Sequence, residues 1–100
     1  MNSYCYVYVL RSVKDQMFYV GFTKNLRKRV QDHNSGLVPS TKGRAPLDLV
    51  YWEGCLNQTD ATRREKYLKS SWGKRYIKNR LRGYLTGLPR EIKNQGYLTG

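Results

Sequence analysis

The sequence predicts a single α+β domain, a mixed α/β chain of three short strands and three helices. Three observations predict it. Two aromatic and β-branched runs, residues 4–10 and 17–22, are separated by a polar turn. Basic amphipathic stretches with polar residues at their starts follow at residues 24–33 and from residue 57 onward. One hundred residues suffice for one hydrophobic core and not for two.

Residues 4–10, Tyr-Cys-Tyr-Val-Tyr-Val-Leu, combine high strand propensity with apolar character on both faces, so they read as a central strand. Val13 to Gln16 supply the turn, and Met17 to Phe22 return as a second strand, which makes a hairpin the economical connection. From Lys24 to His33 the period becomes helical. Leu26 and Val30 lie four apart, Thr23 or Asn25 serves as N-cap, and Asn34-Ser35-Gly36 stops the helix.

Residues 35–46 contain Gly36, Pro39, Gly43 and Pro46 among polar residues and mark a long surface loop of the kind that tends to carry function. Leu47 to Trp52 is a third strand. Asn57 to Asp60 then open a second helix that runs to about Ser70, and Gly73 is expected to separate it from a third helix at 74–84. Residues 1–85 therefore form the domain and residues 86–100 a loosely ordered extension. Gly-Tyr-Leu-Thr-Gly occurs at 83–87, across the domain's end, and again at 96–100, too short a repeat for a solenoid.

The net charge of +12, from 19 Lys and Arg against 7 Asp and Glu, is the largest bulk signal. Such an excess costs self-repulsion and points to a polyanionic partner, nucleic acid first. No long apolar run points to a membrane. Cys5 and Cys55 are isolated and His33 is the only histidine, which rules out a zinc finger. The amino terminus lacks the pattern of a secretory leader, so a cytoplasmic location is expected.

Ala61, Leu68 and Trp72 share one helical face, which places Trp72 in the core, and Glu65 falls in the same stripe. Between Arg63 and Arg82 it is the only acid among nine Lys or Arg. An inward carboxylate needs a guanidinium, a metal or hydrogen-bond donors. A solvated basic face would instead set Glu65 outside, beside Lys69 at i+4. Arg29 and His33 share a face of the first helix. An Arg-Glu structural network and a metal site remain equally open on these grounds. Tyr8 and Tyr19 add hydroxyls, and one carboxylate with waters suffices for Mg²⁺.

These residues complete a pattern. Tyr6-Val7-Tyr8, Tyr19-Val20-Gly21, the run Thr23 to Val30, His33 to Gly36, Leu49-Val50-Tyr51 and Arg64 to Lys69 together resemble the small stand-alone members of the GIY-YIG nuclease superfamily. That superfamily includes the nuclease domain of the bacterial excision-repair incision subunit. The resemblance covers residues 4 to about 84. It implies a central three-stranded antiparallel sheet flanked by helices, and a metal-dependent endonuclease that hydrolyses phosphodiester bonds in DNA. Mg²⁺ or Mn²⁺ is the implied cofactor. Glu65 matches the metal ligand, Arg29 the transition-state arginine, and Tyr8 and Tyr19 the signature tyrosines. His33 matches a position held by histidine or tyrosine. Which of Tyr8, Tyr19 and His33 is the general base stays open.

The chain departs from the pattern in three places. Tyr6 replaces a glycine, Phe22 stands where several relatives carry lysine, and Asn79 is only an approximate match to an asparagine of the last helix. Gly21 reads as structural. Lys24, Arg27, Lys28, Lys42, Arg44, Lys69, Lys74, Arg75 and Lys78 are the expected phosphate contacts, which supply affinity without sequence choice. Specificity would then be low or supplied by a protein partner, with RNA open as a substrate and DNA repair or recombination as the setting. The rival reading is a basic nucleic-acid-binding module that keeps the fold and does no chemistry.

Overall fold

The computed structural model describes residues 3–88 and 97–99. Its strands are β1 (Cys5–Ser12), β2 (Phe18–Thr23) and β3 (Leu47–Cys55), and its helices α1 (Leu26–Asn34), α2 (Gln58–Leu68), α3 (Ser71–Arg80) and α4 (Arg82–Thr86). A short strand β4 (Tyr97–Thr99) completes a sheet of order β3-β1-β2-β4. The three strands read from the sequence form an antiparallel sheet with β1 central, as expected. The addition is β4, which lies parallel to β2 and pairs Tyr19 with Leu98. Most of the carboxyl-terminal extension, residues 89–96 and 100, lies outside the described residues.

Strand periodicity sorts the core into two layers. Cys5, Val7 and Val9 of β1 and Phe18 and Val20 of β2 pack with Ala61, Leu68 and Ile77 from α2 and α3. Tyr8 and Leu10 turn to the opposite layer and pack with Tyr19, Leu47, Leu26 and Val30. The sheet is thus covered by α1 on one side and by α2 and α3 on the other.

The β1–β2 turn is built by side chains. Ser12 Oγ accepts from the amides of Lys14 and Asp15, and Asp15 Oδ1 accepts from the Met17 amide. Gln16 takes the left-handed conformation at φ 63°. The caps follow the sequence: Asn25 accepts from the Lys28 amide at the start of α1, and Asn57 from the Asp60 amide at the start of α2.

Three expectations for the helical half are corrected. The helix expected at 74–84 is split at Leu81 into α3 and α4. Gly73 does not separate helices; it lies inside α3, buried, where a Cβ would sit 2.1 Å from the Tyr67 carbonyl oxygen. The break falls earlier, at Lys69 and Ser70, where the Ser70 hydroxyl caps α3 by accepting from the Gly73 amide. That early break ends the α2 periodicity, so Trp72 is not a core residue. It is 66% exposed, with the Arg75 guanidinium 5.0 Å from its ring centroid.

On the same side of the sheet a polar cluster ties α2 and α3 to β3. Glu53 accepts from Tyr51 at 2.9 Å and from Arg64 Nε at 2.8 Å, while Tyr51 and Tyr76 hydroxyls are 3.2 Å apart. Arg64 also lies over the Tyr67 and Tyr76 rings.

Candidate active site

Tyr8 is the middle of a chain of polar contacts that begins on the long loop and ends on α1. Strand β1 places its ring on the α1 side of the sheet, opposite Gly21 of β2, which adds no side chain beside it. Arg29 and His33, one helical turn apart, both reach its hydroxyl: Arg29 Nε donates at 3.3 Å and His33 Nε2 lies at 2.8 Å. His33 Nδ1 is 2.7 Å from Thr41 Oγ1. Thr41 closes the short 3-10 turn Pro39–Thr41 within the long loop and is buried.

Hydrogen-bond accounting assigns the tautomer. Tyr8 and His33 are both 0% exposed, so each polar hydrogen needs a protein acceptor. Arg29 can only donate and occupies a lone pair of the Tyr8 oxygen. The phenolic hydrogen then goes to His33 Nε2, which must be unprotonated, and His33 Nδ1–H donates to Thr41 Oγ1. The electrostatics agree. Burial, and then the Arg29 charge, push the His33 imidazole down to about 4, with Asp32 opposing, so it is neutral at neutral pH. Burial likewise raises the Tyr8 phenol; the Arg29 hydrogen bond and charge pull it back, and the Glu65 carboxylate pushes it up again.

Glu65 stands on α2. Its side chain is 21% exposed, and Oε2 lies 2.8 Å from Lys69 Nζ. The i+4 partner that a solvated basic face would give it is present, on a side chain that is half-buried. The contact engages one of the two carboxylate oxygens.

Tyr19 stands apart from this chain. Its hydroxyl donates to Asp15 Oδ2 at 2.8 Å, and Arg44 Nη1 lies 3.1 Å from the same oxygen. Burial, followed by the Asp15 hydrogen bond and charge, pushes the Tyr19 phenol up to about 12. Burial also pushes the Asp15 carboxyl up. The Met17 amide, the Tyr19 and Ser12 hydroxyls and Arg44 outweigh it and leave Asp15 lowered. Asp15 and Thr41 carried no sequence signal of their own; a polar turn and a long loop were visible, their side-chain targets were not.

Among the expected phosphate contacts, Lys24, Arg27, Lys42, Arg75 and Lys78 are exposed. Three others are engaged by carboxylates: Lys28 by Asp32, Arg44 by Asp15 and Lys69 by Glu65. Lys74 is half-buried on α3. Asn79 accepts from Arg82 Nη2 at 2.6 Å on the exposed side of α3.

The model of the GIY-YIG catalytic domain matches residues 4–77. The chain belongs to the GIY-YIG family. Its matched segment runs from the residue before β1 into α3, so it contains Tyr8, Tyr19, Arg29, His33 and Glu65 together. Small GIY-YIG relatives described as UPF0213 proteins include one of Clostridium perfringens, 46% identical over 64% of this chain and 69% of its own. One of Pediococcus acidilactici is 41% identical over 74% of this chain and 81% of its own. A solution NMR structure of the UPF0213 protein BH0048 from Bacillus halodurans aligns over 89% of this chain and 92% of that chain at 32% identity, with a TM-score of 0.47. Membership makes this a nuclease-type domain, with nucleic acid as its class of substrate. Among the described residues no helix is long and apolar enough to cross a membrane.

Among the described residues there is also no cluster of three or more His, Cys, Asp or Glu able to enclose a metal ion. The donor set fits a hard divalent cation that keeps most of its waters, as Mg²⁺ does with one or two carboxylates and a substrate phosphate. It does not fit a cation that demands a full protein cage. Glu65 is the residue that would hold the ion, in competition with Lys69.

Proposed function

We propose that this chain is a metal-dependent endonuclease that hydrolyses phosphodiester bonds in DNA with low intrinsic sequence specificity, in a repair or recombination setting. One observation carries the reading: the support chain Thr41–His33–Tyr8–Arg29 holds a half-buried guanidinium beside a buried hydroxyl that a neutral imidazole backs. A cation, an acid and a hydroxyl with a neutral imidazole behind it are the parts that phosphoryl hydrolysis uses.

Arg29 meets the phosphate and stabilises the charge that accumulates on its oxygens. Its 3.3 Å contact with Tyr8 is long for an N–H···O bond, and it is the contact a water replaces when the guanidinium turns to substrate. The water's proton then passes to the Tyr8 oxygen while the Tyr8 proton passes to His33 Nε2; the water oxygen forms the new P–O bond as the bond to the leaving oxygen breaks, and the leaving oxygen takes a proton from solvent. Burial holds Tyr8 as the neutral phenol and His33 as the neutral imidazole, so the two transfers go together. Bound at Glu65, Mg²⁺ or Mn²⁺ supplies Lewis-acid polarisation of a phosphoryl oxygen and a more acidic water. Tyr19, locked to Asp15, shapes the wall of the site.

Replacing Glu65 with Gln is expected to abolish plasmid nicking in Mg²⁺ or Mn²⁺ while DNA affinity stays intact. Unchanged cleavage by E65Q would sink the assignment. The full burial of Tyr8 and the Lys69 contact on Glu65 are what a non-catalytic binding module would also show. Salt-dependent binding by the unaltered chain with no cleavage of supercoiled, linear, branched or RNA substrates would select that reading.

A further inference from the structure

We propose that the groove between α1 and β3 is a stacking site for unpaired nucleobases next to the scissile phosphate, so that the preferred substrate has single-stranded character at the cut. This rests on the phosphodiesterase reading and extends it to substrate class. The groove encloses about 500 Å³, with Leu26, Val30, Arg27 and Gln31 of α1 facing Tyr6, Leu49 and Trp52 of the sheet. A smaller recess of about 310 Å³ continues it along Tyr4, Tyr6, Trp52 and Gly54.

The aromatic rings there are presented to solvent. Tyr4 and Trp52 are each 52% exposed, whereas Tyr8, Phe18 and Tyr19 of the sheet are buried. The rings do not cover one another: Tyr6 and Trp52 meet edge-on at 67°, and Tyr4 and Tyr6 are tilted by 38°. At position 54 a side chain would begin 3.4 Å from the Tyr4 and Tyr6 rings; glycine leaves them uncovered. No carboxylate lines either part among the described residues, and Arg27 brings positive charge to the α1 wall.

Position selects the occupant. Trp52 pairs across the sheet with Tyr8, and Tyr6 is one side-chain repeat, about 7 Å, along β1 from it. A base on this platform therefore belongs to a nucleotide adjoining the phosphate at Arg29. A duplex keeps its base faces inside its own stack, whereas unpaired bases offer a π-face to any aromatic surface. Apolar rings flanked by a cation and an amide suit that ligand.

Trp52 reports on its own site. In a chain carrying E65Q and Trp72→Phe, Trp52 is the sole tryptophan of the two in the sequence. Oligothymidylate is expected to quench its fluorescence, and a blunt duplex at equal phosphate concentration and salt is not. Trp52→Ala should weaken oligothymidylate binding by about 10-fold or more, read by anisotropy of labelled DNA, with duplex affinity changed less than about two-fold. Trp52→Phe, which keeps a ring in the strand, should retain most of the affinity and control for folding. Quenching by oligouridylate as well supports a site that reads the ring and not the sugar. Equal quenching by duplex, or equal loss of both affinities in Trp52→Ala, overturns the proposal. So does a dimer in sedimentation that Trp52→Ala abolishes, which would make a second copy the occupant. Lack of cleavage by the unaltered chain, with the Trp52 response intact, would remove the nuclease reading and leave the stacking site.

Discussion

The Tyr8 hydroxyl and His33 Nε2 lie 2.8 Å apart in a space from which solvent is excluded, and neither group is charged at neutral pH. A buried neutral pair of this kind is held by its outer contacts. Thr41 fixes one end by accepting from His33 Nδ1, and Arg29 fixes the other.

Thr41→Val removes that acceptor while keeping the shape of the side chain, leaving a buried Nδ1–H without a partner. Cleavage should fall by roughly 10-fold, about 1.4 kcal/mol in barrier, with DNA affinity unchanged. Thr41→Ser should restore it. Equal loss in both variants would show that the loop and not the hydroxyl matters.

His33 also sets a pH dependence of stability. Its folded value of about 4 lies below the ordinary 6.5, so between those limits the unfolded chain binds a proton that the native chain does not. Stability is fully present above 6.5, falls as pH drops through the window and levels off below 4, a loss on the order of 3 kcal/mol. Urea midpoints measured from pH 7 to 4 should show this decline, and His33→Asn should flatten it.

The two signature tyrosines should separate on mutation. Tyr8→Phe deletes the hydroxyl that links Arg29 to His33 and should remove cleavage. Tyr19→Phe loses one hydrogen bond to Asp15, which keeps Arg44, so it should cost about 1 kcal/mol of stability and little activity. Matched losses of turnover in both would return Tyr19 to the chemistry.

Lys69 competes with a metal for Glu65 Oε2. Lys69→Met should lower the Mg²⁺ concentration needed for half-maximal cleavage, and excess chelator should abolish cleavage in both forms. An unchanged Mg²⁺ dependence would mean that the ion pair opens at no cost.

Gly73→Ala places a methyl group 2.1 Å from the Tyr67 carbonyl oxygen and 2.3 Å from Leu68 Cα, both backbone atoms that cannot swing aside. Thermal unfolding should report a loss of at least roughly 2 kcal/mol.

Where a local rule dominates, the sequence was sufficient. The strand runs, the Asn25 and Asn57 caps and the face shared by Arg29 and His33 are all consequences of periodicity and short-range hydrogen bonding. It failed where packing overrode period. Trp72 matched the stripe of Ala61 and Leu68, but the chain breaks at Lys69–Ser70 and reorients it. Gly73 looked like a helix breaker because glycine disfavours helices; its missing Cβ was needed for close approach instead. The plainest case is Tyr-Leu-Thr, helical at 84–86 in α4 and extended at 97–99 in β4. Three residues do not choose their own conformation; the partner strand does. Thr41 and Asp15 were out of reach for a related reason, since their targets lie 8 and 4 residues away through folds of a loop and a turn.

Asn34 closes the neck of the long loop by gripping both backbone groups of Leu47, accepting from its amide at 2.7 Å and donating to its carbonyl at 3.1 Å. The Ser12 hydroxyl holds the Arg44 carbonyl at 2.6 Å, and Thr41 is anchored from within. A protease that nicked the exposed Lys42–Gly43 bond would therefore sever the covalent thread without parting the pieces. Residues on either side of the cut would stay clasped, and two fragments would migrate as one particle until a denaturant separated them.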